Sequence, residues 1–181
     1  RDGSNIASIL FFLKEHEPII FKKIEGLIRQ VAPFFNSFVL EQVRGKEETI
    51  RLEWKEKGND DYFNANQLSD GTLRMIALVT LLLQPNLPST LIIDEPELGL
   101  HPAAIQILAG LIRKASLKSQ VIISTQSVTL INQFTPDDLI VVEREGSCSI
   151  FKRFSKEEIE SWLDSYSLGE LWEKNLIGGR P

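Results

Sequence analysis

Cysteine and long apolar runs are both scarce in this sequence. The chain has a single cysteine, Cys148, which excludes an internal disulfide. Proteins without disulfides are typical of the cytosol, so we predict a cytoplasmic location with Cys148 as an inert thiol. The longest apolar run, residues 75–83 with Thr80 inside it, is far shorter than the ~20 residues of a membrane helix. Contact with a membrane is therefore not expected.

Basic residues are outnumbered by acidic ones, with 20 lysines and arginines against 25 aspartates and glutamates. The formal net charge is −5, and lysine and arginine form no continuous stripe. The composition therefore provides no electrostatic argument for nucleic-acid binding by the whole surface. A local basic patch around Lys22, Lys23 and Arg29 stays open as an alternative to an ordinary solvated helix face.

Length and composition indicate a globular chain with a real core. The chain has 181 residues, of which 43% are hydrophobic and 25% charged. Charged residues are rare between residues 64 and 136. Because this drop begins near residue 64, we predict a helical and β-hairpin region over residues 1–63 and a separate lobe over residues 64–181. Arg1 follows neither an initiator methionine nor a signal-peptide pattern, and we expect the chain to be a piece of a longer protein.

Helical spacing predicts two helices in the first 32 residues, the second opening at Pro18, with His16 in the polar break between them. Alternating apolar residues then predict a β-hairpin or a small meander, with a turn at residues 44–46. An apolar helix is predicted over residues 73–83, with Ser69 as its N-cap. The Ser69 hydroxyl, Gly71 and the helix N-terminus together would form an anion site, although an ordinary capped core helix explains the same residues.

A βαβ unit is predicted next. A buried strand ends in Asp94 and Glu95, a helix begins at Pro102, and a second buried strand ends before Gln126. The two strands of such a unit are parallel, which places Asp94, Glu95 and Gln126 at one sheet edge. One acid can hold a hard metal ion such as Mg²⁺, while its neighbour orients or deprotonates a water.

The C-terminal residues predict a second β-hairpin over residues 139–154 and two helices. Ser155 and Glu158 form a capping-box pattern that opens the first helix. The last helix is predicted over residues 168–176, with Gly178 and Gly179 as its C-terminal cap.

Four motifs in residues 64–130 resemble the C-terminal lobe of an ABC-type ATPase head, closest to the SMC, RecF and OLD-like group of AAA ATPases. Leu-Ser-Asp-Gly-Thr at residues 68–72 is similar to the ABC signature, and Leu-Ile-Ile-Asp-Glu-Pro at 91–96 is similar to Walker B with its following acid. Leu-Gly-Leu-His-Pro at 98–102 is similar to the D-loop, and Ser-Thr-Gln-Ser at 124–127 stands at the switch position.

This resemblance implies an α/β fold, the C-terminal half of a P-loop NTPase with three layers and a mostly parallel sheet. Residues 1–63 would be the end of the inserted arm region. The implied function is an ATP-binding and ATP-hydrolysing head whose ATP-driven dimerisation serves DNA repair, chromosome handling or anti-phage defence. The implied site residues are Asp94 for Mg²⁺, Glu95 and Gln126 for catalysis, and Ser69, Gly71 and Thr72 for the ATP bound to the opposite subunit.

Two departures from the family pattern change what this chain can do alone. Gln126 stands where many relatives have histidine, and an amide can orient a water but cannot carry a proton. The sequence also has no Gly-x-x-x-x-Gly-Lys-Ser/Thr loop. We therefore expect an N-terminal Walker A lobe as a partner, together with a second copy and DNA or an effector protein. Without that lobe the sheet should expose an edge or an apolar face.

Two other interpretations remain. Asp94, Glu95, Glu97 and His101 could form a nuclease-like metal cluster, although the prolines and the glycine within residues 96–102 oppose a continuous helix. The chain could also be a non-catalytic lobe that packs on a partner.

Overall fold

A computed structural model describes residues 5–43, 46–154 and 156–179. The chain divides into two compact units, Arg1–Ile123 and Ser124–Pro181. The boundary that we predict at residue 64 lies inside the first unit and remains a prediction about where the ATPase lobe begins. The predicted hairpin turn at residues 44 and 45, and the Ser155 cap, lie outside the described residues.

The first unit opens with two helices, α1 (Ile6–His16) and α2 (Pro18–Val31). Pro18 stands in the first turn of α2, where its fixed φ is favourable and its missing N–H has no cost. His16 is the last residue of α1, so its predicted place between the helices is wrong by one position. The His16 ring stacks on Phe12 one turn earlier, with 4.4 Å between the ring centroids.

A three-stranded antiparallel sheet follows, made of β1 (Phe35–Val43), β2 (Lys46–Glu56) and β3 (Tyr62–Asn64). Trp54 is buried at its centre, with its ring 4.9 Å from that of Phe63. Glu25 of α2 accepts the Phe38 N–H at 2.9 Å, which joins the helix to the sheet. Burial raises the pKa of Glu25, and this hydrogen bond opposes that rise.

The core of the first unit is built around α3 (Asp70–Leu83), which packs against α2 and against α4 (Pro102–Ser116). Met75, Ile76 and Val79 of α3 are fully buried. Each such side chain contributes about 1.5–3 kcal/mol of hydrophobic stabilisation. Although α3 is strongly apolar, no helix in the described part of the chain is long and apolar enough to cross a membrane.

Strands β4 (Thr90–Asp94) and β5 (Gln120–Ser124) pair with each other. The Gln120 N–H donates to the Ser89 carbonyl at 2.9 Å, so the two strands start side by side and run in the same direction. This agrees with the predicted βαβ unit. Leu91 is buried on one face of the pair, whereas Ile92 and Ile122 are 78% and 47% exposed. One face of this small sheet is therefore apolar and open.

The second unit has its own small core. Its elements are α5 (Val128–Ile131), the antiparallel hairpin of β6 (Val141–Glu145) and β7 (Cys148–Lys152), α6 (Lys156–Leu163) and α7 (Leu168–Glu173). The predicted second hairpin is thus present. The buried side chains of the core are Ile131, Val141, Ile159, Leu168, Leu171 and Ile177.

The predicted end of the last helix is wrong. α7 stops at Glu173, and Asn175 has a left-handed φ of 57°. The Leu176 N–H then donates to the Leu171 carbonyl at 2.9 Å, which is the pattern of a left-handed helix cap. Gly178 and Gly179 lie beyond this cap, and the Gly179 N–H donates to the Glu143 carboxylate at 3.3 Å. The two glycines therefore dock the chain end on β6.

Candidate active site

The start of α3 is fixed by Ser69. Ser69 has an extended backbone, and its hydroxyl accepts the Thr72 N–H at 3.2 Å and lies 2.9 Å from the Thr72 hydroxyl. The predicted N-cap is therefore confirmed. By helix geometry the N–H groups of Asp70 and Gly71 have no partner within the helix. Ser69 itself is exposed, so this helix start reaches the surface, and its role as an anion site stays a prediction.

Gly71 brings a second segment against this helix start. A Cβ added to Gly71 would overlap the backbone carbonyl of Gly99. Gly99 has a positive φ of 77°, a conformation that glycine adopts without strain. The two segments therefore meet through their backbones, and this approach requires glycine at position 71. Residues 68–72 and 98–102, which are far apart in sequence, lie in contact.

The two acids follow β4 in different environments. Asp94 is exposed at the end of the strand, and Glu95 is half-buried. Glu95 has a positive φ of 41°, which is uncommon for a residue with a side chain. Its carbonyl accepts the Leu98 N–H at 3.2 Å, which closes a turn directly after the strand.

Arg74 joins this turn to α3. Its Nη1 donates to the Glu95 carbonyl at 2.9 Å. Sequence reasoning missed this residue, because it belongs to none of the motifs. The one available signal was an isolated positive charge between Leu73 and Met75 in a helix that is otherwise apolar beyond its first turn.

His101 serves α4 rather than a metal. Its Nδ1 accepts the Ala103 N–H at 3.3 Å, and it is the N-cap residue of α4 directly before Pro102. Across the described ranges, no group of three or more His, Cys, Asp or Glu side chains is placed to hold a metal ion. The nuclease-like cluster of Asp94, Glu95 and His101 with Glu97 gains no support.

Gln126 lies in the second unit, where it is exposed. Hydrogen bonds shape the backbone around it, since the Ser127 N–H donates to the Thr125 hydroxyl at 3.0 Å and the Ser127 hydroxyl caps α5. Gln126 borders an open depression of about 920 Å³ beside β6 and β7. The expected proximity of Gln126 to Asp94 and Glu95 remains a prediction.

An ion pair between Glu143 and Lys152 also borders this depression. The hydrogen bond from Lys152 lowers the pKa of Glu143, and the Gly179 N–H acts in the same direction. The opposite charges of Lys152 on β7 and Glu143 on β6 attract each other, so this ion pair stabilises the hairpin.

The end of β4 carries one candidate ligand for a divalent cation. The Asp94 carboxylate is a hard oxygen ligand of the kind that Mg²⁺ prefers. Gly71 and Gly99 meet through their backbones at the start of α3. The neighbouring Ser69 is exposed at the surface. The sequence has no phosphate-binding loop, so any nucleotide needs additional groups from elsewhere.

A protein-family profile described as "AAA domain, putative AbiEii toxin, Type IV TA system" matches residues 2–132 of this chain. No curated protein matches the chain significantly.

Solved SMC ATPase heads have a similar fold. A chain from work on ATP-driven dimerization and DNA-stimulated activation of SMC ATPases is 21% identical with a TM-score of 0.60, over 85% of this chain and 94% of that chain. An Smc head bound to the C-terminal winged-helix domain of ScpA is 20% identical with a TM-score of 0.61, over 86% and 50%. A Pyrococcus furiosus Smc head with an extended coiled coil, bound to the C-terminal domain of ScpA, is 21% identical with a TM-score of 0.60, over 80% and 37%.

These similarities show a mixed α/β fold like that of SMC ATPase heads, and the predicted α/β class is confirmed. The predicted mostly parallel sheet is not seen in the described residues, because β1–β3 and β6–β7 form antiparallel sheets and only β4 and β5 run in the same direction. This protein spans half the length of the second Smc head chain and 37% of the third.

Proposed function

This chain belongs to the family of AAA domains described as putative AbiEii toxins of type IV TA systems, and from that premise we propose that it is the C-terminal lobe of an ATP-hydrolysing, SMC- and RecF-like head. The proposal is supported above all by the contact of residues 68–72 with the turn after β4. Gly71 touches Gly99, and Arg74 bonds Glu95. These contacts hold the two segments that the proposal assigns to ATP chemistry close together.

The two acids have different roles in this proposal. Asp94, at the exposed end of β4, is the residue that would hold Mg²⁺. The ion supplies charge neutralisation to the phosphate oxygens. Glu95 would orient the attacking water and accept its proton, which requires a carboxylate fixed in position. The hydrogen bonds to the Glu95 carbonyl from Leu98 and Arg74 give its backbone that fixed position.

The start of α3 would contact the terminal phosphate of an ATP bound to a second copy. Helix N-termini favour anions because their N–H groups and dipole point toward the ligand. Ser69, Gly71 and Thr72 would provide this contact. Gln126 would orient the water or donate its amide to a phosphate, in place of the histidine of many relatives. ATP would then hold two heads together, and hydrolysis would release them.

A further lobe is needed to complete the site. Sheets of the βαβ type are normally covered on both faces, yet Ile92 and Ile122 expose one face of the β4–β5 pair. This supports the expectation that a lobe with the Walker A loop packs there. The similar chains are described in terms of ATP-driven dimerization, stimulation by DNA and binding to ScpA. We accordingly propose a homodimer whose cycle acts on DNA or an effector protein, in repair, chromosome handling or defence.

The decisive experiment is Glu95→Gln in the complete protein that carries this chain and the Walker A lobe. We expect ATP hydrolysis to fall by about 10²–10⁴-fold, because a general base is lost. We also expect the ATP-bound dimer to accumulate, which size-exclusion chromatography measures. Glu15→Gln, an exposed glutamate of α1, is the matched control.

Hydrolysis by Glu95→Gln at the parental rate would show that Glu95 does not have this role. A complete protein that fails to hydrolyse ATP under any tested condition would favour the non-catalytic lobe instead.

A further inference from the structure

One side chain connects the start of α3 to the backbone of Glu95. Arg74 Nη1 donates to the Glu95 carbonyl at 2.9 Å in a partly buried position. The same carbonyl accepts the Leu98 N–H at 3.2 Å. It is therefore held from two sides, by its own turn and by the helix that carries Ser69 and Gly71.

The hydrogen bond from Arg74 affects the backbone conformation of Glu95. Its φ of 41° lies in the left-handed region, where an L-residue persists only if its surroundings stabilise it. A return of Glu95 to an extended conformation would rotate the peptide that carries the carbonyl. The Arg74 bond would then break, so Arg74 favours the rare conformation over the ordinary one.

We infer that Arg74 is a positioning residue, which sets the direction of the Glu95 side chain through the Glu95 backbone. The inference rests on the proposed function of Glu95. Arg74 lies one helical turn after Asp70, next to the proposed nucleotide contacts Ser69 and Gly71. A movement of this helix start when ATP of the second copy binds would therefore pass directly to Glu95. The Arg74 guanidinium thus couples the nucleotide contact at the start of α3 to the orientation of the water by Glu95.

Kinetics of Arg74 variants in the complete protein test this inference. Since a misplaced group near the chemistry costs about 10²-fold in rate, we expect Arg74→Ala to lower kcat by about that factor. The KM for ATP should stay at the parental value, because Arg74 holds no part of the nucleotide. Arg74→Lys keeps one N–H donor and should recover part of kcat. Arg51→Ala, which removes an exposed arginine of β2 paired with Glu53, should change neither constant.

Hydrogen exchange supplies a readout apart from activity. The Leu98 N–H bonds the Glu95 carbonyl, and the Leu100 N–H bonds the Glu97 carbonyl at 2.9 Å. Arg74→Ala should accelerate exchange of these two amides by about tenfold or more, without a change in the amides of α4. Arg74→Lys should lie between Arg74→Ala and the parent.

The outcomes separate the inference from the function on which it rests. If Glu95→Gln stops hydrolysis while Arg74→Ala keeps the parental kcat, the positioning role is wrong and the proposed function stands. If Glu95→Gln hydrolyses at the parental rate, the proposed function itself fails. Equal loss of protection throughout α3 and α4 in both Arg74 variants would mean that Arg74 merely stabilises the fold, and would overturn the inference.

Discussion

Two helices of this protein begin with the same local pattern. Ser69 and Gly71 open α3, and Ser167 and Gly169 open α7. Both serines are N-caps whose hydroxyl accepts the N–H of the third residue after them. Both glycines lie where a Cβ would overlap a neighbour. The difference between the two helix starts lies in what surrounds this shared pattern.

The start of α7 is closed by groups of its own unit. The Glu170 carboxylate accepts both the N–H and the hydroxyl of Ser167 at 2.8 Å, in a complete capping box. The Gly169 N–H donates to the Asn132 side chain at 2.7 Å. A negative charge thus already occupies the place that an anion would take. This helix start is structural.

The start of α3 has an uncharged residue at the same position. Thr72 stands where Glu170 stands in α7, and Gly71 faces the backbone of Gly99 rather than an amide acceptor. A serine and a glycine at a helix start therefore do not specify a nucleotide contact by themselves. In α7 the acidic residue at the third helical position closes the cap, whereas at α3 the predicted anion site stays a prediction.

The largest difference is expected from alanine at the two glycines. Gly71→Ala places its Cβ on the Gly99 carbonyl, which is backbone and cannot rotate away. We expect a loss of about 3 kcal/mol in the free energy of unfolding of the first unit. A Cβ at Gly169 meets two side chains first, a methyl of Val128 at 2.5 Å and Asn132 Oδ1 at 2.9 Å. Side-chain atoms rather than a backbone carbonyl must therefore shift, so the second unit should lose less, about 1–2 kcal/mol.

Urea unfolding followed by hydrogen exchange measures both glycine variants, because the exchanging amides identify the unit. Equal losses for the two variants, or a smaller loss for Gly71→Ala, would contradict the backbone contact.

Thr72→Glu gives α3 the capping box of α7. We expect this substitution to have a small effect on stability and a clear effect on function. The acid near the helix N-terminus should raise stability by about 0.5 kcal/mol. Its charge should nevertheless repel the proposed phosphate and abolish ATP-driven dimerisation of the complete protein, as measured by light scattering. Thr72→Gln has nearly the same shape without the charge and should still dimerise. Normal dimerisation of Thr72→Glu would remove α3 from the nucleotide site.

The smallest effect concerns pH. Hydrogen bonds from the Ser167 backbone and hydroxyl lower the pKa of Glu170 below its ordinary value of 4.5. A carboxyl with a lowered pKa stabilises the fold above its ordinary pKa and loses that contribution as pH falls through the lowered value. The second unit of the parent should therefore lose stability below about pH 4.5 more steeply than Glu170→Gln. Urea midpoints from pH 6 to pH 3 test this, and identical slopes would contradict it.

Much of the fold follows from local sequence signals. Pro18 and Pro102 mark helix starts because the ring pre-sets φ for the first turn, and Ser69 marks another because its hydroxyl replaces a missing helical acceptor. Apolar runs before Asp94 and Gln126 indicated β4 and β5. Alternating residues likewise indicated both hairpins.

The errors arose where two local signals competed. Gly178 and Gly179 are the usual sign of a helix end, yet Asn175 adopts the left-handed conformation first and ends α7 earlier. The glycines are needed instead for close approach to β6, which no local pattern announces. His16 was placed one residue outside α1, within the ordinary uncertainty of helix boundaries.

The sequence itself thus determined the motif at residues 91–96, the helix starts and the succession of the strands along the chain. Each of these features depends on residues that are neighbours in the chain. Only the tertiary structure decided that Arg74 bonds the Glu95 carbonyl and that Gly71 lies on Gly99. These contacts join residues separated by more than 20 positions, so they depend on how α3, β4 and the start of α4 pack. The sequence predicted an exposed edge or apolar face, and the folded chain identified Ile92 and Ile122 as the exposed residues.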